Sequence, residues 1–133
     1  MLAVVDTNVW VSAFLSPGGT PAKLLIEWKR RRLVLVVSQE IEAEYREVLH
    51  RPQFHLSTAL VDEFLDRVRE EGLRIHSVSG VGVPLPDPDD AVFIAVAKAV
   101  NCPVITGNTR HFPAEAGVEI LSPADFMERL LKA

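Results

Sequence analysis

A chain of 133 residues with 48% hydrophobic content and a formal net charge of −4 is long enough for one domain, residues 1–133, with a core that needs no staples. The acidic balance argues against a protein that holds nucleic acid by bulk positive charge alone, while leaving a local basic face open. The single cysteine excludes an internal disulfide. With neither a basic-then-apolar leader nor an apolar run of membrane-spanning length, a soluble cytoplasmic protein without membrane attachment is expected.

The first element is a short buried strand. Leu2-Ala3-Val4-Val5 is a continuous apolar run, too short for a helix, that stops abruptly at Asp6-Thr7-Asn8; such runs fit strands covered on both faces. Asp6 then stands at the carboxyl end of a strand, where open parallel sheets place their ligands. A competing reading makes Asp6 or Asn8 only the cap of a first helix, Val9 to Leu15. Ser16-Pro17-Gly18-Gly19 is a turn, and Thr20-Pro21 supplies an N-cap and an N1 proline for a second helix reaching about Arg31. The basic run Lys29-Arg30-Arg31-Arg32 falls at its end, where the helix dipole favours cations.

Leu33 to Val37 is a second apolar strand. Ser38 caps a third helix whose Ile41, Tyr45, Val48 and Leu49 form a buried stripe until Pro52 ends it. Ser57 or Thr58 opens a fourth, with Leu60, Val61, Phe64, Leu65 and Val68 as its apolar face and Gly72 as its stop. Leu73 to His76 reads as a short strand, with His76 structural, and the Gly80 to Pro86 segment as a flexible connection. Asp87-Pro88-Asp89-Asp90 leads into a helix from Ala91 to Val100 with one charge, which marks it as buried. Cys102, beside Pro103, reads as a small buried hydrophobe. Pro103 to Thr106 is a strand ending at Gly107-Asn108, Val118 to Leu121 is the last strand, and Ser122-Pro123 start a closing helix through Leu131. Strands alternating with helices imply an α/β domain with a parallel sheet and helices on both faces.

Three segments can bring carboxylates to one edge of that sheet. On the third helix Glu40 and Glu47 point away from the apolar stripe, whereas Glu42 and Glu44 lie on its two borders. In Asp87-Pro88-Asp89-Asp90, capping and the helix dipole account for Asp87 and Asp89. They account less well for Asp90, which shares its face with Ile94 and Ala97 of a buried helix and needs a partner, a cation or water. Thr106 and Asn108 follow a strand as Asp6 and Thr7 do. If Asp6, Glu44 and Asp90 converge, their repulsion raises a pKa or recruits a cation. Oxygen ligands without a Cys or His cluster favour Mg²⁺ or Mn²⁺ over Zn²⁺.

On these residues the sequence resembles PIN-domain proteins, in particular the toxin ribonucleases of the VapC type and their relatives in toxin–antitoxin pairs. The resemblance covers essentially the whole chain. It is carried by Val4-Val5-Asp6-Thr7-Asn8-Val9, by the glutamate within Glu42 to Leu49, by Asp87-Pro88-Asp89-Asp90 before an alanine-rich helix, and by Val104-Ile105-Thr106-Gly107-Asn108. It implies a three-layer α/β/α domain with a central parallel sheet of four or five strands, and a cytoplasmic endoribonuclease that hydrolyses RNA phosphodiesters with Mg²⁺ or Mn²⁺. Asp6, Glu44 and Asp90 match the three main acidic positions, and Thr7 or Thr106 serves as a hydroxyl neighbour that orients a carboxylate. Asn108 stands where many members carry a fourth aspartate: its amide oxygen can coordinate, but the site loses one negative charge, which argues against a second tightly held metal. A homodimer and a small antitoxin protein are further implications of the resemblance.

Lys23, Arg46, Arg51 or the basic run are candidates to guide the RNA backbone. Arg110 and His111 are candidate phosphate contacts, with plain surface placement as the competing reading. Two other functions stay open. The strand ending in Asp6-Thr7-Asn8-Val9 is similar to that of haloacid-dehalogenase-like phosphatases, although Asn8 stands where those have a second aspartate and no lysine motif follows. Alternatively, with Asn108 in the fourth position, a PIN-like domain binds RNA or protein and cleaves weakly or not at all.

Overall fold

The computed structural model describes residues 1–76, 90–113 and 117–132. Its five strands are β1 (Leu2–Val5), β2 (Val34–Val37), β3 (Leu73–Arg74), β4 (Val104–Ile105) and β5 (Ile120–Leu121). They form one sheet in the order β3-β2-β1-β4-β5, with every pairing parallel. The helices are α1 (Thr7–Leu15), α2 (Thr20–Lys29), α3 (Gln39–Leu49), α4 (Thr58–Glu71), α5 (Ala91–Val100) and α6 (Pro123–Lys132). This is the expected α/β architecture.

Ala3, Val4 and Val5 of β1 and Leu35, Val36 and Val37 of β2 are all buried, successive residues alike. Because successive strand side chains point to opposite faces, both faces of the sheet must be covered. The chain runs outward from β1 to β2 and β3, then crosses back to lay β4 on the other side of β1. That reversal opens a crevice between the carboxyl ends of β1 and β4, the place where open α/β sheets bind ligands. The register pairs Val4 with Val104 and Val5 with Ile105, so Asp6 and Thr106 come next, side by side.

An aromatic cluster fixes the helices around this crevice. The Phe64 ring lies 5.1 Å from Trp10 and 5.2 Å from Trp28, and Tyr45 meets Trp10 edge-on at 6.4 Å. Each such pair contributes roughly 0.5–1.5 kcal/mol beyond area burial, and together they join α1, α2, α3 and α4. Tyr45 also donates its hydroxyl proton to the Val5 carbonyl, which pins α3 to the end of β1. Burial in this cluster pushes the Tyr45 phenol far up, so it stays a neutral donor.

Several boundaries differ from expectation. α1 begins at Thr7 rather than Val9. Gly19, not Thr20, occupies the N-cap of α2, because Thr20 is already helical and Pro21 sits in the first turn. α2 stops at Lys29 because the chain turns at Arg31 with a left-handed φ of 64°. The three arginines of the basic run therefore lie in a turn and are paired: Arg30 and Arg32 lie 3.3 and 3.1 Å from the buried Glu27, and Arg31 lies 3.3 Å from Glu71. Ser38 caps α3, accepting from the Ile41 amide at 3.2 Å, and Ser57 rather than Thr58 caps α4. Leu60 is 57% exposed, since α4 buries Val61, Phe64, Leu65 and Val68 and the helical turn carries Leu60 off that stripe. β3 is shorter than expected, although the Ile75 amide still donates to the Val37 carbonyl at 2.8 Å. The Gly80 to Pro86 connection, Asp87 and Asp89 lie outside the described residues.

Candidate active site at the crevice between β1 and β4

Asp6 occupies the N-cap position of α1, yet its side chain makes no capping hydrogen bond. It turns instead toward β4, where the Thr106 hydroxyl donates to Asp6 Oδ2 at 2.8 Å. Asp6 is 6% and Thr106 0% exposed. Burial pushes the Asp6 carboxyl above the ordinary aspartate range, opposed by the Thr106 hydroxyl, by the nearby amides of Thr7 and Asn8, and more weakly by His111. Capping alone does not explain Asp6, because its buried carboxylate is also turned to the Thr106 hydroxyl on the neighbouring strand and carries a desolvation cost that an exposed cap avoids.

Thr106 also accepts the Asn108 amide at 3.0 Å, and the Gly107 amide donates to Asn8 Oδ1 at 3.3 Å. These bonds tie the loop after β4 to the loop after β1.

Of the two border glutamates on α3, the structure turns them to different partners. Glu42 reaches the edge of the sheet and pairs with Arg74 at 2.5 Å. Glu44 faces the end of β1 and accepts the Thr7 hydroxyl. Thr7 and Thr106 thus hold one carboxylate each. The neighbouring Tyr45 anchor explains the split: fixing Tyr45 on Val5 carries the residue before it to the β1 end and leaves Glu42 half a turn back.

Asp90 begins the described part of the α5 segment with helical φ and ψ of −73° and −13° and makes no capping hydrogen bond. It is 8% exposed, above buried Ile94 and Ala97, as its face predicts. Its Oδ2 lies 3.9 Å from His111 Nδ1. His111 closes a single 3-10 turn, Thr109–His111, with Asn108 at its N-cap. Asn108 Nδ2 donates to the same ring, 3.0 Å from Nε2 and 3.3 Å from Nδ1. His111 is thereby a residue of this site, beyond the surface placement open to it from sequence. The signal was its spacing from Asn108, since side chains three apart in a 3-10 turn lie over one another.

A family model described as the PIN domain matches residues 3–110. The chain belongs to the PIN-domain family. A comparison with curated protein sequences finds no match. Among solved structures, this PIN domain is similar to a chain of VapBC2 from Rickettsia felis bound to a promoter DNA fragment, at 16% identity and a TM-score of 0.61, covering 92% of this chain and 98% of that one. It is similar to a chain of VapBC-1 from nontypeable Haemophilus influenzae at 15% identity and a TM-score of 0.62, covering 93% and 99%. It is also similar to a chain of FitAcB from Neisseria gonorrhoeae at 21% identity and a TM-score of 0.58, covering 92% and 98%. Identities this low establish the shared fold.

Among the described residues of the PIN domain, no group of three or more His, Cys, Asp or Glu side chains is disposed to hold one metal ion. The donors present are carboxylates supported by hydroxyls, which fits an ion bound through one or two carboxylates and completed by water and phosphate. No described helix is long and apolar enough to cross a membrane.

Proposed function

We propose that this PIN domain is a metal-dependent endoribonuclease that hydrolyses RNA phosphodiester bonds, the toxin of a toxin–antitoxin pair. The observation that carries the reading is the pair Asp6 and Thr106. Two strands adjacent in space and about a hundred residues apart in sequence deliver a buried, oriented carboxylate to the switch point of the sheet. The fold shared with chains of VapBC and FitAcB assemblies supports a small antitoxin partner.

Asp6, Glu44 and Asp90, with the amide oxygen of Asn108, are the groups that would hold Mg²⁺ or Mn²⁺. When bound, such an ion supplies Lewis acidity to the phosphate and to water. The chain itself does the positioning. Thr106 holds the Asp6 carboxylate toward β4 through Oδ2. Thr7 likewise holds Glu44 from the adjoining helix. A raised Asp6 pKa means that its charge is costly when the crevice holds no cation, so cation binding and Asp6 ionisation favour each other. No side-chain nucleophile is required, because water suffices for phosphodiester hydrolysis. Guidance of the RNA backbone falls to Lys23, Arg46 and Arg110 rather than to Arg51, which Glu47 engages, or to the basic run, whose arginines are engaged by Glu27 and Glu71. A groove shared by two copies would add to their charge in a homodimer of a mildly acidic chain.

The test is incubation of the purified protein with mixed RNAs and Mg²⁺ or Mn²⁺, beside an Asp6→Asn variant and a chelator control. Cleavage that needs metal and disappears in the variant is expected. Equal cutting by both proteins would place the activity elsewhere.

A further inference from the structure

Most polar side chains where β1 and β4 end are already engaged with one another. The Thr106 hydroxyl donates to Asp6, the Thr7 hydroxyl donates to Glu44, and the Asn108 amide nitrogen donates to His111. Asn8 is the exception. It is exposed, two residues beyond the buried Asp6 and in the first turn of α1, and the Gly107 amide faces its side chain at 3.3 Å. A backbone N–H only donates, so the atom it faces is the amide oxygen, and the NH₂ group is turned the other way. That group meets no acceptor among the described residues.

We infer that Asn8 is a substrate-binding residue whose Nδ2 donates to a nonbridging oxygen of an RNA phosphate at the mouth of the crevice. The inference rests on the ribonuclease reading above and deepens it. Bidentate recognition of adenine by asparagine uses both the oxygen and the nitrogen of its amide. With Oδ1 held by Gly107, only the donors remain, and phosphate oxygens are acceptors that every nucleotide offers. The carboxylates of the crevice repel an entering phosphate, and a donor beside Asp6 offsets part of that repulsion. Lysine or arginine in this place would pair with Asp6 and compete with a cation for it. A neutral amide donates to the phosphate and leaves the carboxylate alone.

The test is fluorescence anisotropy of labelled oligo-U, oligo-A and oligo-C RNAs with the full chain and Mg²⁺, in an Asp6→Asn background that keeps the RNA intact. Adding Asn8→Ala is expected to weaken binding about tenfold, alike for the three RNAs and with the same salt dependence, because no charge is lost. Asn8→Asp keeps an oxygen for Gly107 but has no N–H to give. It is expected to bind at least as weakly as Asn8→Ala, including at about 0.3 M salt, where the added charge is largely screened. Thermal unfolding checks that each variant is folded, and Asn8→Asp carries the test alone if Asn8→Ala is not. Parent affinity in Asn8→Ala, or its recovery by Asn8→Asp at the higher salt, makes Asn8 a tie between two loops and overturns the inference. A loss confined to one RNA makes it a base contact and overturns it too, while the nuclease reading stands. Uniform loss of binding in a protein whose parent form cleaves no RNA sustains the contact and overturns the nuclease reading. Absence of RNA binding in the Asp6→Asn chain itself overturns both.

Discussion

Replacing Thr106 by valine removes one hydroxyl and changes little else in shape, which makes it the sharpest probe of the site. The hydroxyl donates to Asp6 Oδ2 at 2.8 Å and accepts the Asn108 amide at 3.0 Å, and Thr106 is fully buried. A hydrogen bond to a charged group contributes about 1.5–3 kcal/mol, and a neutral one to a partly buried amide about 1 kcal/mol. The metal-free protein should therefore lose about 2.5–4 kcal/mol of unfolding free energy at pH 7. The Asp6 carboxyl, already raised by burial, should rise further, because the first of the influences opposing that rise has gone. Urea unfolding at pH 7 and again near pH 4 measures both effects. The loss should shrink at the lower pH, where a protonated Asp6 no longer needs a charge-assisted donor. Thr106→Ser keeps the hydroxyl and should recover most of the difference. A valine variant within about 0.5 kcal/mol of the parent at pH 7 would refute the claim that Thr106 supports an ionised Asp6.

The pH dependence of the metal-free protein follows from the same carboxyl. A folded-state pKa above the unfolded value of about 3.9 means the folded protein binds the proton more tightly, so Asp6 makes stability fall as pH rises from about 4 through its raised value. Asp6→Asn should remove that fall, stabilising the metal-free protein at pH 7 in thermal unfolding while abolishing RNA cleavage. Glu71 and Glu119 act oppositely, their carboxyls held down by Arg67 and Arg129; that stability is lost as pH falls below about 4.3, which separates the two windows. Glu44→Gln should cost on the order of a hundredfold in cleavage rate with little effect on unfolding, whereas Glu42→Gln should leave cleavage near the parent rate, since Glu42 is engaged by Arg74; matching losses would merge their roles. Tyr45→Phe leaves the buried Val5 carbonyl without its donor and should cost about 1–3 kcal/mol in urea unfolding, with cleavage falling as Glu44 loses its anchor.

Much of this protein is written locally. The apolar runs before Asp6 and Ser38 specify strands covered on both faces, because no polar alternation exists for a solvated face. Ser38, Pro52 and Ser57 bound α3 and α4 through capping and ring sterics that act within a few residues. The helix period placed Glu42 and Glu44 on the two borders of α3 and Asp90 over the buried face of α5, and the strand ends placed Asp6 and Thr106 at equivalent positions. What no local rule could decide was which of these groups meet. The approach of Thr106 to Asp6 depends on β4 pairing with β1 rather than with β3, a choice made by the whole sheet. The turn of Glu44 to Thr7 and of Glu42 to Arg74 follows from the Tyr45 anchor, and the engagement of the basic run by Glu27 and Glu71 follows from how α2 ends and α4 packs. His111 owes its place to a 3-10 turn whose direction is set by bonds between two distant loops. Periodicity is encoded within one element, but proximity between charged groups is a property of how elements pack, and that packing alone decides which charges are solvated and which are held.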